Sequence, residues 1–326
     1  MPGASAAFSL PVAITGATGF VGRHVLARLA GAQTDAAGAV RALTRRPVEA
    51  AAAGPVTWIL GHLGDDGALR RLVEGCRLVI HIAGATKALD AAGFMAANAE
   101  GTRRLMRAVA EAAAPACRVI HVSSLAAREP DLSPYAASKR AGEEAVAGML
   151  PPARWIILRP PALYGPQDRE LLPLLLATRR GFLPVPGPRS QRLALLHVAD
   201  LAEAIARLAD DAVFEALAGR QLEIDDGRGG YGPEEMAAAL SAVWGRPVRP
   251  VPIPAPVTTA AAHLAQAWAR LTGRPAMLTP HKLPELRHPD WSVRMDAELL
   301  RHWRPRFDLE SGLRAVLAAA HERSAA

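Results

Sequence analysis

Tyr135 and Lys139 stand four residues apart in Tyr135-Ala136-Ala137-Ser138-Lys139, and Ser124 lies eleven residues before the tyrosine. Ser133-Pro134 reads as an N-cap followed by an N1 proline, so a helix begins here. A spacing of four then puts phenol and amine on one helical face, about one turn apart. A free phenol has a pKa near ~10 and is a poor base at neutral pH. A neighbouring ammonium would stabilise the phenolate and lower that value, and an oxidised nicotinamide would add to the effect. Tyr135 could then give or take a proton at a carbonyl or hydroxyl, while Lys139 could also bind ribose hydroxyls. Ser124 ends the apolar run His121-Val122-Ser123-Ser124 and could hold the substrate oxygen. Tyr-x-x-x-Lys also occurs by chance as an ordinary surface pair, so its weight rests on what surrounds it.

A glycine turn supplies that context. Thr15-Gly16-Ala17-Thr18-Gly19-Phe20-Val21-Gly22 follows the apolar run Leu10 to Ile14 and opens a helical stripe of Val21, Val25 and Leu29. The order is strand, turn, helix. Gly16 lets the chain turn off the strand. Gly19, lacking a Cβ, lets backbone N–H groups approach a pyrophosphate, and Gly22 lets the helix pack close to the sheet. The phosphates would face a helix N-terminus, which favours anions. A bare glycine turn is the alternative when the trio is taken alone.

Apolar runs near 10–15, 39–44, 56–60, 77–83, 117–123, 154–159 and 221–225 read as strands, with helices between them. One such helix runs from Ala97 to Ala113 with a stripe of Thr102, Leu105 and Val109. Continuous apolar strands alternating with helices predict an α/β, Rossmann-type doubly wound parallel sheet. Ligands of such sheets bind beyond the carboxyl ends of the strands. Ala83 and Gly84, small residues ending the fourth strand, would allow close approach of a cofactor. His81 within that strand is expected to be a satisfied core histidine. After the second strand comes Thr44-Arg45-Arg46-Pro47, with no acid to hold ribose hydroxyls. An arginine there fits a 2′-phosphate, so NADP is preferred over NAD; two solvated arginines are the alternative.

Net charge is +7 over 326 residues, half of them hydrophobic. The arginines are scattered among acids with little aromatic interleaving, so no nucleic-acid partner is expected. Cys76 and Cys117 have no metal spacing and read as core thiols, and no metal site is expected. No apolar stretch reaches the ~18 residues of a membrane span, and no signal peptide is visible, so a cytoplasmic protein is expected.

Taken together these residues resemble the extended branch of the short-chain dehydrogenase/reductase superfamily. That branch holds NAD(P)-dependent epimerase/dehydratases and 3β-hydroxysteroid dehydrogenase/dihydroflavonol-reductase-like enzymes. The resemblance is carried by TGATGFVG at 15–22, IHIAG at 80–84, Asn98 with Gly101-Thr102, HVSS at 121–124 and YAASK at 135–139. It continues through LRPPALYGP at 158–166, HVAD at 197–200 and WSVRMDAELL at 291–300. It implies a catalytic trio of Ser124, Tyr135 and Lys139. It implies a pyrophosphate cradle of Gly16, Thr18, Gly19, Phe20, Val21 and Gly22, a 2′-phosphate contact at Arg45 and an adenine contact at Leu63. Pro160, Ala162 and Leu163 would lie along the nicotinamide, and Asn98 would open a helix under the site and position the lysine. His62 stands where the family usually has Asp, which leaves the adenine contacts open. The short interval between Ser124 and Tyr135 weakens the epimerase reading. The resemblance implies a small-molecule substrate and admits a homodimer.

The expected division is a dinucleotide-binding part at 8–164 and 191–226, with a substrate lobe at 165–190 and 227–326. Arg192 matches an arginine that grips a nucleotide phosphate in sugar-nucleotide relatives, with a solvated arginine as the alternative. Pro233 to Trp244, ended by Gly245, reads as a helix, and the proline-rich 247–256 must be extended. Val257, Ala261, Leu264, Trp268 and Leu271 form an apolar stripe at helical spacing. Packing against the small lobe is the expectation. A membrane-surface or substrate-entry helix is the alternative, although its polar face carries little Lys or Arg. The function expected is hydride transfer to or from a carbonyl or alcohol. A sugar-nucleotide epimerase/dehydratase and a non-catalytic dinucleotide-bound scaffold or sensor are the rivals.

Overall fold

The apolar runs become buried strands because helices cover both of their faces. A computed structural model describes residues 11–30, 40–48 and 56–325. Leu10 and residue 39, at the margins of two expected strands, lie outside the described residues.

The first half runs β1 (Val12–Thr15), α1 (Phe20–Ala30), β2 (Val40–Thr44), β3 (Val56–Leu60), α2 (Asp66–Val73), β4 (Leu78–His81), α3 (Gly101–Ala112), β5 (Arg118–Val122), α4 (Pro134–Met149) and β6 (Trp155–Arg159). It continues through β7 (Ala162–Tyr164), α5 (Leu171–Ala177), β8 (Phe182–Val185), β9 (Arg192–Leu193), β10 (Leu195–His197), α6 (Val198–Leu208), α7 (Asp211–Leu217) and β11 (Gln221–Glu223). Seven strands form a parallel sheet in the order β11-β6-β5-β4-β1-β2-β3. The order reverses beside β1, which pairs with β2 on one side and β4 on the other. Crossovers therefore leave β1 and β4 toward opposite faces and open a crevice at their carboxyl ends.

Strand alternation divides the core into two layers. Val12, Ile14, Ile80, Ile120 and Ile156 pack with Leu201, Ile205 and Phe214 on one face. Ala13, Val79, Val119 and Ile157 pack with Leu69, Leu72, Leu105 and Val146 on the other. One buried ion pair ties this part together: Arg159 Nε and Nη2 donate to the two carboxylate oxygens of Glu143 at 2.9 and 2.6 Å. Cys76 and Cys117 are buried free thiols.

The chain ends with α8 (Pro233–Trp244), β12 (Arg249–Pro252), α9 (Ala255–Thr272), α10 (Leu283–Arg287), β13 (Asp290–Trp291) and α11 (Leu309–Ala325). Gly245 closes α8 at φ +61°, the left-handed cap expected of glycine. The proline-rich stretch is extended only as far as Pro254, with part of it the strand β12, paired in parallel with β8; its last two residues, Ala255 and Pro256, open α9 instead. A third apolar cluster, including Leu172, Leu183, Met236, Leu240 and Leu313, unites α5, β8, α8 and α11 as a smaller lobe beside the sheet.

Two expectations are corrected. The helix expected from Ala97 begins earlier, as an α-helical turn at Ala91–Phe94, passes through a π-helical turn, Met95–Glu100, and is α-helical again from Gly101. Asn98 thus sits inside a π turn, a rarity associated with functional sites, and does not open a helix. The apolar stripe of α9 does not pack on the lobe. The helix buries the small faces of Thr258, Ala262 and Ala269 and turns Val257, Leu264, Trp268 and Leu271 to solvent.

Candidate active site

The glycine turn leaves β1 beside β4. Gly16 adopts φ +76°, and a Cβ there would stand 2.7 Å from Ala83 N. A Cβ on Gly22 would stand 2.0 Å from Gly16 O, so this glycine packs α1 against its own turn and not, as expected, against the sheet. A Cβ on Gly19 would meet only Gly16 O, at 3.2 Å, and Thr18 and Gly19 are exposed. The result is a cradle closed behind and open in front of a helix N-terminus headed by Phe20 and Val21. Its shape and its free N–H groups fit a dinucleotide pyrophosphate.

A buried relay braces this cradle. Thr102 Oγ1 donates its one hydrogen to Asn98 O at 2.6 Å, so it must accept from His81 Nε2 at 2.9 Å. His81 Nδ1 then accepts from Thr15 Oγ1 at 2.7 Å, and that hydroxyl accepts from Ala83 N. Burial and the Lys139 charge push His81 down to about 3, which keeps it neutral. The histidine is the satisfied core residue that its apolar strand suggests. Asn98 continues the chain by donating to Ala85 O and Ser138 Oγ and accepting from Ala85 N. A Cβ on Gly84 would collide with the Asn98 side chain at 2.7 Å.

The tips of β5 and α4 bring the expected trio to this crevice. Ser133 caps α4 by accepting from Ala136 N at 3.0 Å, as the Ser-Pro pair indicates. Ser124, just past β5, caps a short 3₁₀ turn and hydrogen-bonds the Tyr135 phenol. Lys139 is buried, and its Nζ donates to Val122 O at 2.9 Å. The pKa expectation for the tyrosine is corrected. Burial pushes the Tyr135 phenol up to about 12, against a smaller downward pull from Ser124, while Glu285 and Glu170 raise it further. Lys139 is not among the charges acting on it. Burial instead draws Lys139 itself down to about 8, with Glu143 opposing. The phenol is therefore neutral at neutral pH, as an unshifted tyrosine would also be. Asn98 bonds Ser138 and not, in the described contacts, Lys139.

Sequence reasoning missed the groups that grip the phenol. Lys282 Nζ lies 4.4 Å from the centre of the Tyr135 ring, and Phe94 meets that ring edge-on at 5.9 Å. Lys282 pairs with Glu285, which accepts from the Ser133 hydroxyl. Lys87, just after β4, pairs with Glu170 ahead of α5 at 2.7 Å. No local pattern announces these contacts, since the partners lie more than forty positions from the tyrosine in every case but Glu170, and that one acts only through its charge.

Arg45 is exposed at the tip of β2, where Thr44 Oγ1 donates to Arg46 O. Leu63 packs against Gly101, whose added Cβ would lie 3.0 Å from Leu63 Cβ. His62 Nδ1 accepts from Gly64 N at 3.1 Å, so it folds the local turn. Pro160 O accepts from Leu125 N, and Ala162 and Leu163 are half-buried on β7. Arg192 is held by Gly230 O and by Glu235 at 3.2 Å. Among the described residues no group of three or more His, Cys, Asp or Glu side chains could hold a metal ion.

The profile of the family described as "NAD dependent epimerase/dehydratase family" matches residues 12–217. The chain is 43% identical over 286 residues to the ceramide reductase of Caulobacter vibrioides, covering 86% of this chain and 85% of that one. Among solved structures it is similar to MoeE5 in complex with UDP-glucose and NAD, with a TM-score of 0.68, 22% identity and coverage of 97% and 99% of the two chains. It is also similar to the dTDP-glucose 4,6-dehydratase DesIV of Streptomyces venezuelae with NAD bound, with a TM-score of 0.67, 21% identity and coverage of 96% and 98%. At those identities the structures establish the fold. The profile match and the reductase relative establish more: the chain belongs to the NAD dependent epimerase/dehydratase family of oxidoreductases.

Proposed function

We propose that this protein is an NADP-preferring carbonyl reductase of the extended short-chain type, whose substrate is a long-chain lipid of the ceramide class. The observation that carries the reading is the placement of the Tyr135 phenol, hydrogen-bonded to Ser124 at the carboxyl ends of the strands. Reduction of a ketone needs a proton donor at the oxygen where charge develops, and a neutral phenol is that donor. The substrate class follows from the 43% identity, over most of both chains, to a ceramide reductase.

When bound, the cofactor supplies the hydride. The chain's own residues do the rest. Gly16, Gly19 and Gly22 with the α1 N-terminus hold the pyrophosphate, and Arg45 meets the 2′-phosphate. Ser124 donates to the carbonyl oxygen, and Tyr135 transfers its proton to the forming alkoxide. Lys139, still largely charged at pH 7, would meet the ribose hydroxyls. Lys282 and Phe94 fix the ring. Residues 165–190 and 227–326 form the wall that selects substrate.

The sugar-nucleotide reading is weaker here for a specific reason. Arg192, the arginine expected to grip a nucleotide phosphate, already serves Glu235 and Gly230. The protein is proposed to work from the cytoplasmic side, where reduced nicotinamide is available; a homodimer is compatible with this reading. The test is NADPH consumption by the purified protein with an N-acylated long-chain amino ketone. A stoichiometric loss of NADPH with formation of the secondary alcohol is expected. Turnover of a nucleotide sugar without net NADPH loss would overturn the assignment.

A further inference from the structure

The helix α9 presents its large residues to water. Val257 is 56%, Leu264 73%, Trp268 68% and Leu271 82% exposed. Leu264, Trp268 and Leu271 follow at i, i+4 and i+7, one continuous stripe, and with Val257 the row extends for about 21 Å. Leu286 on α10, which packs against α9, is exposed as well. The inward face is made of Thr258, Ala262 and Ala269. This inverts the usual amphipathic arrangement, in which the large apolar residues face the core.

The charge around this helix is one-sided. Residues 245–288 carry Arg246, Arg249, Arg270, Arg274, Lys282 and Arg287 against the single acid Glu285, a net of +5 out of +7 for the whole chain. Arg246, Arg249, Arg270 and Arg274 are exposed. Few of these cations lie on the helix itself, which is why its own polar face looks unsuited to an anionic surface. The neighbouring segments supply them, before its first turn and beyond its last. Glu285 is buried and paired with Lys282.

The same segment reaches the reactive phenol. Arg287 donates to Ala255 O and to the Thr258 and Thr259 hydroxyls at the start of α9. From Arg287 the chain runs back through α10 to Glu285, on the Ser133 cap of α4, and to Lys282, on the Tyr135 ring.

We propose that α9 is an interfacial element that seats the protein on an anionic lipid bilayer, with Leu264, Trp268 and Leu271 in the acyl boundary and the flanking arginines on lipid phosphates. No helix among the described residues is long and apolar enough to cross a membrane, so the helix lies in the surface plane. Tryptophan is suited to that depth, and each basic residue near the surface adds to binding. The inference deepens the proposed function: a two-chain lipid is too insoluble to arrive through water, and α10 connects the docked helix to Tyr135.

The test is co-sedimentation of the full chain with vesicles of phosphatidylcholine containing about one-third phosphatidylglycerol, and with phosphatidylcholine alone. The wild-type protein should pellet with the anionic vesicles and much less with the neutral ones. Leu264→Ser, Trp268→Ser and Leu271→Ser together should lower partitioning about 100-fold or more, because each removes an inserted apolar group. Arg249→Gln, Arg270→Gln and Arg274→Gln together should lower it about 100-fold on anionic vesicles and little on neutral ones. Both variants should bind NADPH as the wild type does, since none of these residues belongs to the glycine cradle or contacts Tyr135. Wild-type protein that stays in the supernatant overturns the proposal. So does a dimer in vesicle-free solution that becomes monomeric in the serine variant, for then the stripe is covered by a second copy. Binding to vesicles without reduction of any long-chain ketone would sink the substrate reading and leave the docking surface standing; the reverse pattern would do the opposite.

Discussion

Replacing Lys139 by Met should stabilise the cofactor-free protein while abolishing turnover. The lysine is only 5% exposed, and burial draws its pKa from 10.5 to about 8. That fall corresponds to about 3 kcal/mol of unfavourable ionisation in the folded chain at neutral pH. The methionine side chain has similar length and carries no charge. The cost is the hydrogen bond from Nζ to Val122 O, whose loss leaves a buried carbonyl short of a partner, about 1–2 kcal/mol. The net gain is about 1–2 kcal/mol at pH 7, or about 2–4 °C in a thermal transition of a chain this large. The sign reverses with pH. Between about 8 and 10.5 the unfolded chain holds the lysine proton more tightly than the folded one, so wild-type stability rises through that window. Above it the wild-type lysine is neutral in both states and only the hydrogen bond separates the two proteins. Thermal unfolding of both proteins, scanned from pH 7 to about pH 10.5, should therefore show the variant ahead at the acid end and behind at the alkaline end. A variant that is less stable at pH 7 by an amount that does not change with pH would refute the idea that the buried ammonium is held against a penalty. The loss of NADPH turnover, measured alongside, separates this charge's structural cost from its use.

Tyr135→Phe should lower kcat about 10³-fold with little change in NADPH affinity, read by steady-state turnover and by fluorescence titration. Arg45→Ala should weaken NADPH about tenfold or more and leave NADH nearly unchanged; equal losses by titration would count against the 2′-phosphate role. Gly22→Ala places a Cβ 2.0 Å from Gly16 O, so the turn must open, and calorimetric binding of either dinucleotide should be lost along with several degrees of thermal stability. Arg159→Ala leaves the buried Glu143 carboxylate with only Arg140, at 4.0 Å, and should cost about 3 kcal/mol in denaturant unfolding; Glu143→Met with Arg159→Met should recover most of it.

The sheet was legible because its strands are short apolar runs separated by helices, and a parallel sheet covered on both faces leaves no other place for them. The turn at Gly16, the cap at Ser133 and the i, i+4 pair at Tyr135 and Lys139 are also local, fixed by residues a few positions apart. Two kinds of information were not local. The pKa of Tyr135 depends on burial, on Ser124 and on carboxylates at positions 170 and 285, none of which the Tyr-x-x-x-Lys spacing encodes. The spacing implied an ammonium that lowers the phenol's pKa; the fold half-buries the tyrosine, buries the lysine and points the amine at Val122 O. Likewise the stripe on α9 has the right period for a core helix. Periodicity tells which residues share a face, but not whether that face meets protein or solvent, and here the small residues on the other face do the packing.

The phenol belongs to two bodies at once. Its backbone sits on α4, which the sheet positions through Val146, yet its ring is held by Lys282 from the C-terminal lobe. Ser133 joins them with a single hydroxyl: it accepts from Ala136 N to cap α4 and donates to Glu285, which also pairs with Lys282. Trp291 Nε1 donates to Glu285 O at 2.9 Å and holds that corner from behind. A shift of α10 must therefore either carry the α4 cap with it or break the Ser133–Glu285 bond, and in the second case Lys282 is free to leave the face of the tyrosine ring. The proton donor is thus in register with the sheet only while the lobe that would hold the substrate is docked beside it. On the proposed function, this would give the C-terminal lobe a part in the chemistry as well as in selection, because the proposed acid and the proposed substrate wall share these contacts.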